Sequence, residues 1–487
     1  MNNAPPNSTP ATGSNKYLAS ICMVGSLGGL LFGFDTAVIS GTVERVTGQF
    51  GLNDIQQGWF TSAALIGCIA GALGSGWLGD RFGRKPILIA AAVLFFFSAL
   101  FSAFPPGFSG LIAARMLGGI AVGMASVLGP MYISELAPPK WRGRLVACYQ
   151  LSIVLGILFA YLSNLLLVRY AQSHPVAFGG EGTLHLTLVS EVWRAMFGAE
   201  MLPALLFFLL LFFVPESPRW LIRAGAVESG LDKLTRISGS EMAQRELAEI
   251  QDSLSHEEGT LAELFRPGLR LALLVGVMLA VFGQLSGVNI VVYYGPKILA
   301  AAGFAEAATL LGQVGFGLIN LVFTILAMLF IDRFGRRPLL ISGMAVVTIS
   351  LAIIGGLFLS AGAESALAVD GDGGEISRGT GIWIGVMICV YVAAIAFSIC
   401  AVIWVLTPEI FPNHVRGRAV SLCTFANWST NAFSAFAFPW YVATFGMHTG
   451  FFTSAAICLV ATLFFWKFVP ETKGKSLEKI EKLWTRD

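Results

Sequence analysis

The chain has 487 residues, 55% of them hydrophobic and 12% charged, about half the ~25% charged fraction of an ordinary soluble domain. Mean hydropathy is +0.74, so most of the chain must face lipid or other apolar helices, which excludes a soluble catalytic domain of ordinary kind. The net charge of +2 gives no electrostatic footprint for nucleic acid.

Residues 1–16 are polar and Pro-containing, with Lys16 the first charge; they read as a disordered cytoplasmic N-terminus. No cleavable signal is expected, because the first apolar run is too long for a signal core and lacks a basic flank beyond Lys16. Apolar runs long enough to cross a bilayer follow near 17–40, 59–79, 86–104, 111–133, 145–168 and 193–214. A charged stretch, 215–270, reads as a cytoplasmic linker with short amphipathic helices. A second set of runs lies near 271–294, 308–331, 338–361, 382–406, 419–445 and 450–469, with 470–487 a cytoplasmic tail. The fold class is thus all-α, with twelve membrane helices in two halves, 17–214 and 271–469.

The seven cysteines lie in apolar stretches without a C-x-x-C pair, which fits small buried residues and gives no metal site or disulfide framework. Basic residues concentrate in alternate loops: Arg81, Arg84 and Lys85; Lys140, Arg142 and Arg144; Arg333, Arg336 and Arg337; Arg416 and Arg418. The loop 362–380 is Gly-rich and acidic, with Glu364, Asp370, Asp372 and Glu375. The positive-inside rule then puts both termini in the cytoplasm.

The two halves repeat each other. Asp80-Arg81-Phe82-Gly83-Arg84-Lys85-Pro86 recurs as Asp332-Arg333-Phe334-Gly335-Arg336-Arg337-Pro338. Glu135 with Arg142-Gly143-Arg144 recurs as Glu409 with Arg416-Gly417-Arg418, and Pro215-Glu216-Ser217-Pro218-Arg219 as Pro470-Glu471-Thr472-Lys473-Gly474. Parallel repeats of this kind are a transporter architecture with the substrate between the halves.

The chain resembles the sugar porter family of the major facilitator superfamily. The residues that carry the likeness are Gly33-Phe34-Asp35-Thr36-Ala37-Val38-Ile39-Ser40-Gly41, Pro130-Met131-Tyr132-Ile133-Ser134-Glu135, the two Pro-Glu runs, and Gln284-Leu285-Ser286-Gly287-Val288-Asn289 with Tyr293-Tyr294. The first-span run, extended from Phe32 to Glu44, is similar to that of bacterial D-xylose/proton symporters. The resemblance implies a transporter, not an enzyme, importing a monosaccharide with a proton by alternating access. Its partners would be the sugar, the proton and the lipid bilayer, with no cofactor or metal, and the chain would function as a monomer.

An ionised Asp within a span costs roughly 2.5–3.5 kcal/mol on insertion scales, so Asp35 is suited to gain and lose a proton with its surroundings. The resemblance makes Asp35 the proton-binding acid and Arg115 its partner, with Glu200 in support. A static pair that fixes helix packing is the alternative. No histidine falls inside a predicted span, which argues against a histidine relay.

A sugar needs groups that donate and accept and an aromatic wall. By resemblance these are Phe32, Gln150, Gln284, Asn289, Tyr293, Tyr294, Trp404, Asn427 and Trp428. Interhelical hydrogen-bonding is the competing role of the amides. Three departures from the family pattern stand out: Ile157 where many members carry Gln, Gly283 where they carry the first of two Gln, and Cys400-Ala401 where they carry Gly-Pro. The last predicts loss of a helix break. The resemblance also makes Asp80, Arg81 and Arg84, Glu135 with Arg142, Asp332 and Arg333, and Glu409 with Arg416 a cytoplasmic gate of salt bridges between the halves.

Competing readings are a facilitative sugar uniporter, a polyol or cyclitol/proton symporter, a sugar sensor and a drug/proton antiporter. A sensor would carry a longer tail than the one ending at Asp487, and span 5 lacks the Gly-Pro-rich antiporter pattern.

Overall fold

The computed structural model describes residues 15–138, 141–255, 260–267, 269–367 and 376–473. The predicted N-terminal stretch up to 14, Lys140, His256, Asp370, Asp372, Glu375 and the tail beyond 473 lie outside the described residues.

The first half contains α1 (Asn15–Phe50), α2 (Asp54–Phe82), α3 (Arg84–Ala103), α4 (Phe108–Leu136), α5 (Arg142–Ser173), the short loop helix α6 (Gly182–His185), α7 (Trp193–Gly198) and α8 (Met201–Leu211). The linker holds α9 (Pro218–Arg223), α10 (Val227–Ser238) and α11 (Ser240–Ser255). The second half contains α12 (Leu269–Leu285), α13 (Val288–Ala301), α14 (Glu306–Phe334), α15 (Arg336–Leu367), α16 (Arg378–Phe397), α17 (Ile399–Glu409), α18 (Asn413–Phe445) and α19 (Met447–Phe468). Among the described residues, eleven segments are long and apolar enough to cross a membrane. The twelfth, α18, has 33 residues and, at ~1.5 Å rise per residue, also reaches across. It is less apolar because Asn427 and Asn431 sit on its cavity face.

Three spans are broken, each for a local reason. Between α7 and α8, Pro203 has no N–H for the Ala199 carbonyl, and the chain tightens through Glu200 N–H to Phe197 O at 3.2 Å. Between α12 and α13, Gly287 takes φ +87°, a region glycine enters without penalty. Tyr391 Oη caps the Ser286 carbonyl there at 2.9 Å. The third break corrects an expectation. Despite Cys400-Ala401, span 10 still breaks at Ser398 (φ −110°, ψ −99°). At this point α15 packs closely through Gly343, where a Cβ would lie 2.1 Å from Ser398 Cβ.

Close helix approach depends on glycine elsewhere too. A Cβ at Gly33 would lie 1.9 Å from the Ile153 carbonyl, so α1 and α5 touch backbone to backbone. The halves meet mainly through α1 with α13, α2 with α18 and α5 with α14. Gly58 against Phe436 and Lys297 Nζ to Gln57 Oε1 at 2.8 Å place these contacts toward the end of the bundle opposite the basic loops. Arg45 and Glu306 form an ion pair across the same end. In the linker, Ile222, Leu234 and Ala243 make a small separate core joining α9, α10 and α11.

Candidate transport site

The breaks open a cavity of about 160 Å³ between the halves, far above the ~10–15 Å³ that admits one water. Phe32, Gln150, Gln284, Asn289, Tyr293, Trp404, Asn427 and Trp428 all line it. Asn289 Nδ2 donates to Gln284 Oε1 at 2.6 Å, and Gln284 Nε2 donates to Asn427 Oδ1 at 2.8 Å. This row of amides exists because the turn at Gly287 brings Asn289 back over Gln284. Phe32 packs against Trp428 across the two halves, ring centroids 5.4 Å apart, and the Trp428 Nε1–H is buried without a protein partner among the described residues.

Tyr294 does not belong to this set. Its ring packs on Phe438, 5.0 Å away, and its hydroxyl donates to Ala435 O at 2.9 Å, so it fastens α13 to α18. Adjacent helical residues point about 100° apart (3.6 per turn), so Tyr293 faces the cavity and Tyr294 cannot. The cavity also takes in Thr36, Tyr161, Asn320, Tyr391 and Asn431, which the sequence reading missed. Asn431 was within reach of a helical argument, since it lies one turn after Asn427 on the same face. Asn431 Nδ2 donates to Tyr293 Oη at 3.1 Å.

The acidic group lies on the other side of α1. Asp35 is fully buried and Arg115 nearly so; Arg115 Nη1 donates to Asp35 Oδ1 at 2.5 Å and Nη2 to the Asp35 carbonyl at 3.0 Å. The guanidinium rests on the Phe197 ring, 5.1 Å from its centroid. Glu200, placed by the break before α8, is buried beside the Asp35 carboxyl. Glu200 Oε1 and Arg115 Nε have no further partner among the described residues. Phe32 and Thr36 of α1 face the cavity while Asp35 faces α4, so one helix carries both groups and can transmit the state of one to the other.

The family described as "Sugar (and other) transporter" matches residues 21–484. The chain belongs to this family. It is similar to the arabinose-proton symporter of Bacillus subtilis, 40% identical with 100% of both chains covered. It is 39% identical to the D-xylose-proton symporter of Escherichia coli, with 97% of this chain and 96% of that one covered. The inward-open structure of the xylose transporter from E. coli superposes with a TM-score of 0.77 at 37% identity, covering 96% of this chain and 100% of that chain. The protein is therefore a multi-pass membrane transporter and not an enzyme.

At its basic end the predicted gate residues pair within each half in this structure. Arg84 pairs with Asp80 at 3.1 Å and with Glu135 at 3.0 Å, all within the first half. Arg336 pairs with Asp332 at 2.9 Å and Glu409 at 3.1 Å, all within the second. Asp80 and Arg84 are one turn apart across Gly83, so the nearest partner is local. Arg142 does not reach Glu135 and instead faces Glu246 of α11. Arg81 lies over Trp77 and Phe82. The Arg333 carbonyl accepts from Lys473 Nζ at 2.7 Å, and Arg416 donates to the Phe411 carbonyl at 3.1 Å rather than to Glu409.

The structure also explains why the third repeated motif accompanies the first two. Glu216 accepts from the backbone N–H groups of Arg84 (3.1 Å), Lys85 (3.2 Å) and Ser217 (2.7 Å). Glu471 does the same for Arg336 (3.1 Å), Arg337 (3.1 Å) and Lys473 (2.9 Å). Each carboxylate caps the N-terminus of the helix that follows a basic turn. Ser217 Oγ and Thr472 Oγ1 then donate to Glu135 and Glu409, at 2.5 and 2.6 Å. Burial pushes the Glu216 carboxyl above its ordinary value, although the three N–H bonds pull it back.

Proposed function

We propose that this transporter carries a monosaccharide, pentose or hexose, inward with a proton by alternating access, with a xylose-like sugar favoured. The observation that carries this reading is the placement on α1: Phe32 and Thr36 line the amide cavity, and Asp35 joins Arg115 and Glu200 behind it. Protonation of Asp35 weakens its hold on Arg115 and releases α1 to move against α4. The amides Gln150, Gln284, Asn289 and Asn427 take the sugar hydroxyls, with Phe32, Trp404 and Trp428 as the aromatic wall. The two relatives named above, each a pentose-proton symporter, support both substrate class and coupling.

The basic end is cytoplasmic on this reading, with both termini there, in the cell (inner) membrane. The halves then meet on the outer side, which corresponds to an inward-facing state. The ion-pair clusters around Arg84 and Arg336 hold each half rigid as it rocks. One charge moving through 100 mV releases ~2.3 kcal/mol, enough for roughly 40-fold accumulation at ~1.4 kcal/mol per decade.

The test is uptake of labelled xylose and glucose into proteoliposomes under an inward proton gradient, for the native protein and Asp35→Asn. Accumulation that the variant loses while it still exchanges sugar supports symport. Equal, gradient-independent equilibration in both proteins makes this a uniporter with a structural Asp35, and no uptake of either sugar points to a polyol or cyclitol substrate.

A further inference from the structure

We propose that the cavity selects pyranoses whose C5 carries hydrogen or methyl over those whose C5 carries hydroxymethyl, so the substrate class is pentoses and 6-deoxyhexoses. This rests on the sugar reading above and narrows it. Asn289 of α13, Gln284 of α12 and Asn427 of α18 form one hydrogen-bonded row in the second half, and the Tyr293–Asn431 pair joins α13 to α18 beside it. Next to Gln284 the chemistry changes abruptly. Gly283 lines the cavity together with Ile395, Ile399 and Ile403. A carbon projecting from Gly283 would have as its three nearest neighbours Cδ1 of Ile403 at 3.4 Å, and Cδ1 and Cγ1 of Ile399 at 3.7 and 3.9 Å. Those are ordinary van der Waals distances, so the glycine leaves a shallow recess, roughly methyl-sized, walled by aliphatic carbon.

A pyranose presents hydroxyls at C1 to C4, each able to donate and accept, and these match the amide row. C5 is the one ring position whose substituent need not form a hydrogen bond. Hydrogen or methyl there fills an aliphatic recess and gains from burial. A hydroxymethyl would carry its hydroxyl against Ile399 and Ile403 and lose water without gaining a partner. Apolar pockets discriminate against an added hydroxyl by up to about 100-fold, so a preference of roughly tenfold or more is expected.

The experiment is counterflow of labelled L-arabinose and D-xylose in proteoliposomes of the full chain, with unlabelled competitors in two matched series. L-arabinose, D-fucose and D-galactose differ only at C5, as do D-xylose, 6-deoxy-D-glucose and D-glucose. In each series whose label is taken up, the methyl sugar should compete at least as well as the pentose and about tenfold or more better than the hexose. Gly283→Gln, which places an amide in the recess, should narrow that ratio; Ile403→Thr tests the same wall if the first variant does not insert. Hexose competing as well as its 6-deoxy partner, or a ratio unmoved in both variants, overturns the proposal and leaves sugar transport standing. Counterflow of neither label overturns the proposal, and the sugar reading as well where labelled D-glucose is also excluded.

Discussion

Asp35 and Arg115 are held in a pair from which water is excluded, and removing one member of such a pair costs ~3–5 kcal/mol. Arg115→Ala should therefore lower the thermal midpoint of the purified protein sharply, and adding Asp35→Asn should recover much of the loss. A midpoint unchanged by Arg115→Ala would mean the pair is not buried as described. The two tyrosines make a second test. Tyr293→Phe strips Asn431 of its partner and should weaken sugar half-saturation about fivefold, the worth of ~1 kcal/mol. Tyr294→Phe should leave it unchanged, because that hydroxyl bonds the Ala435 carbonyl and the residue does not line the cavity. Asp35, Arg115 and Glu200 were legible in the sequence because a charge in an apolar run is costly unless it is used. The division of labour between Tyr293 and Tyr294 was not, because which side of a helix faces the cavity depends on what packs against the other side.

The strongest devices among the helices and turns are the carboxylate caps on α3 and α15. Glu216→Ala and Glu471→Ala should each cost about 1–2 kcal/mol in unfolding experiments, the upper range for a lost helix cap. Burial raises Glu216, so the folded chain binds this proton more tightly than the unfolded chain. The stability linked to this proton is then fully present below the ordinary carboxyl value and is lost as pH rises through the raised one. Glu216→Gln should flatten the pH dependence of stability across that window, and an unaltered slope would assign it to other groups. The repeats themselves were plain in the sequence, but their purpose was not: Glu216 reaches Arg84 across 132 residues of chain. The break at Ser398 escaped for the complementary reason. Sequence rules attribute breaks to Pro and Gly within the span, whereas this one lies where Gly343 of another helix packs against it.

For the whole molecule, the ion pair of Arg45 with Glu306 ties the halves together at the end opposite the basic loops. Both partners are partly exposed, so the pair is worth at most ~1 kcal/mol, or about a fivefold shift in population. Arg45→Ala or Glu306→Ala should move spin-label distances between α1 and α14 at that end toward the separated state, and the double charge exchange should restore them. Failure of the exchange to restore the distances would rule out a latch. The sequence alone determined the twelve-helix, two-half architecture, because apolar length and motif order survive without knowledge of contacts. It also singled out Asp35, Arg115 and Glu200, because charges are expensive in lipid, while the expected cavity residues came from the family resemblance. Tertiary structure alone decided that the Arg84 and Arg336 clusters close within a half rather than between halves. It also decided which end the halves share, and that Gly283 opens onto isoleucine, since each of these turns on which surfaces meet.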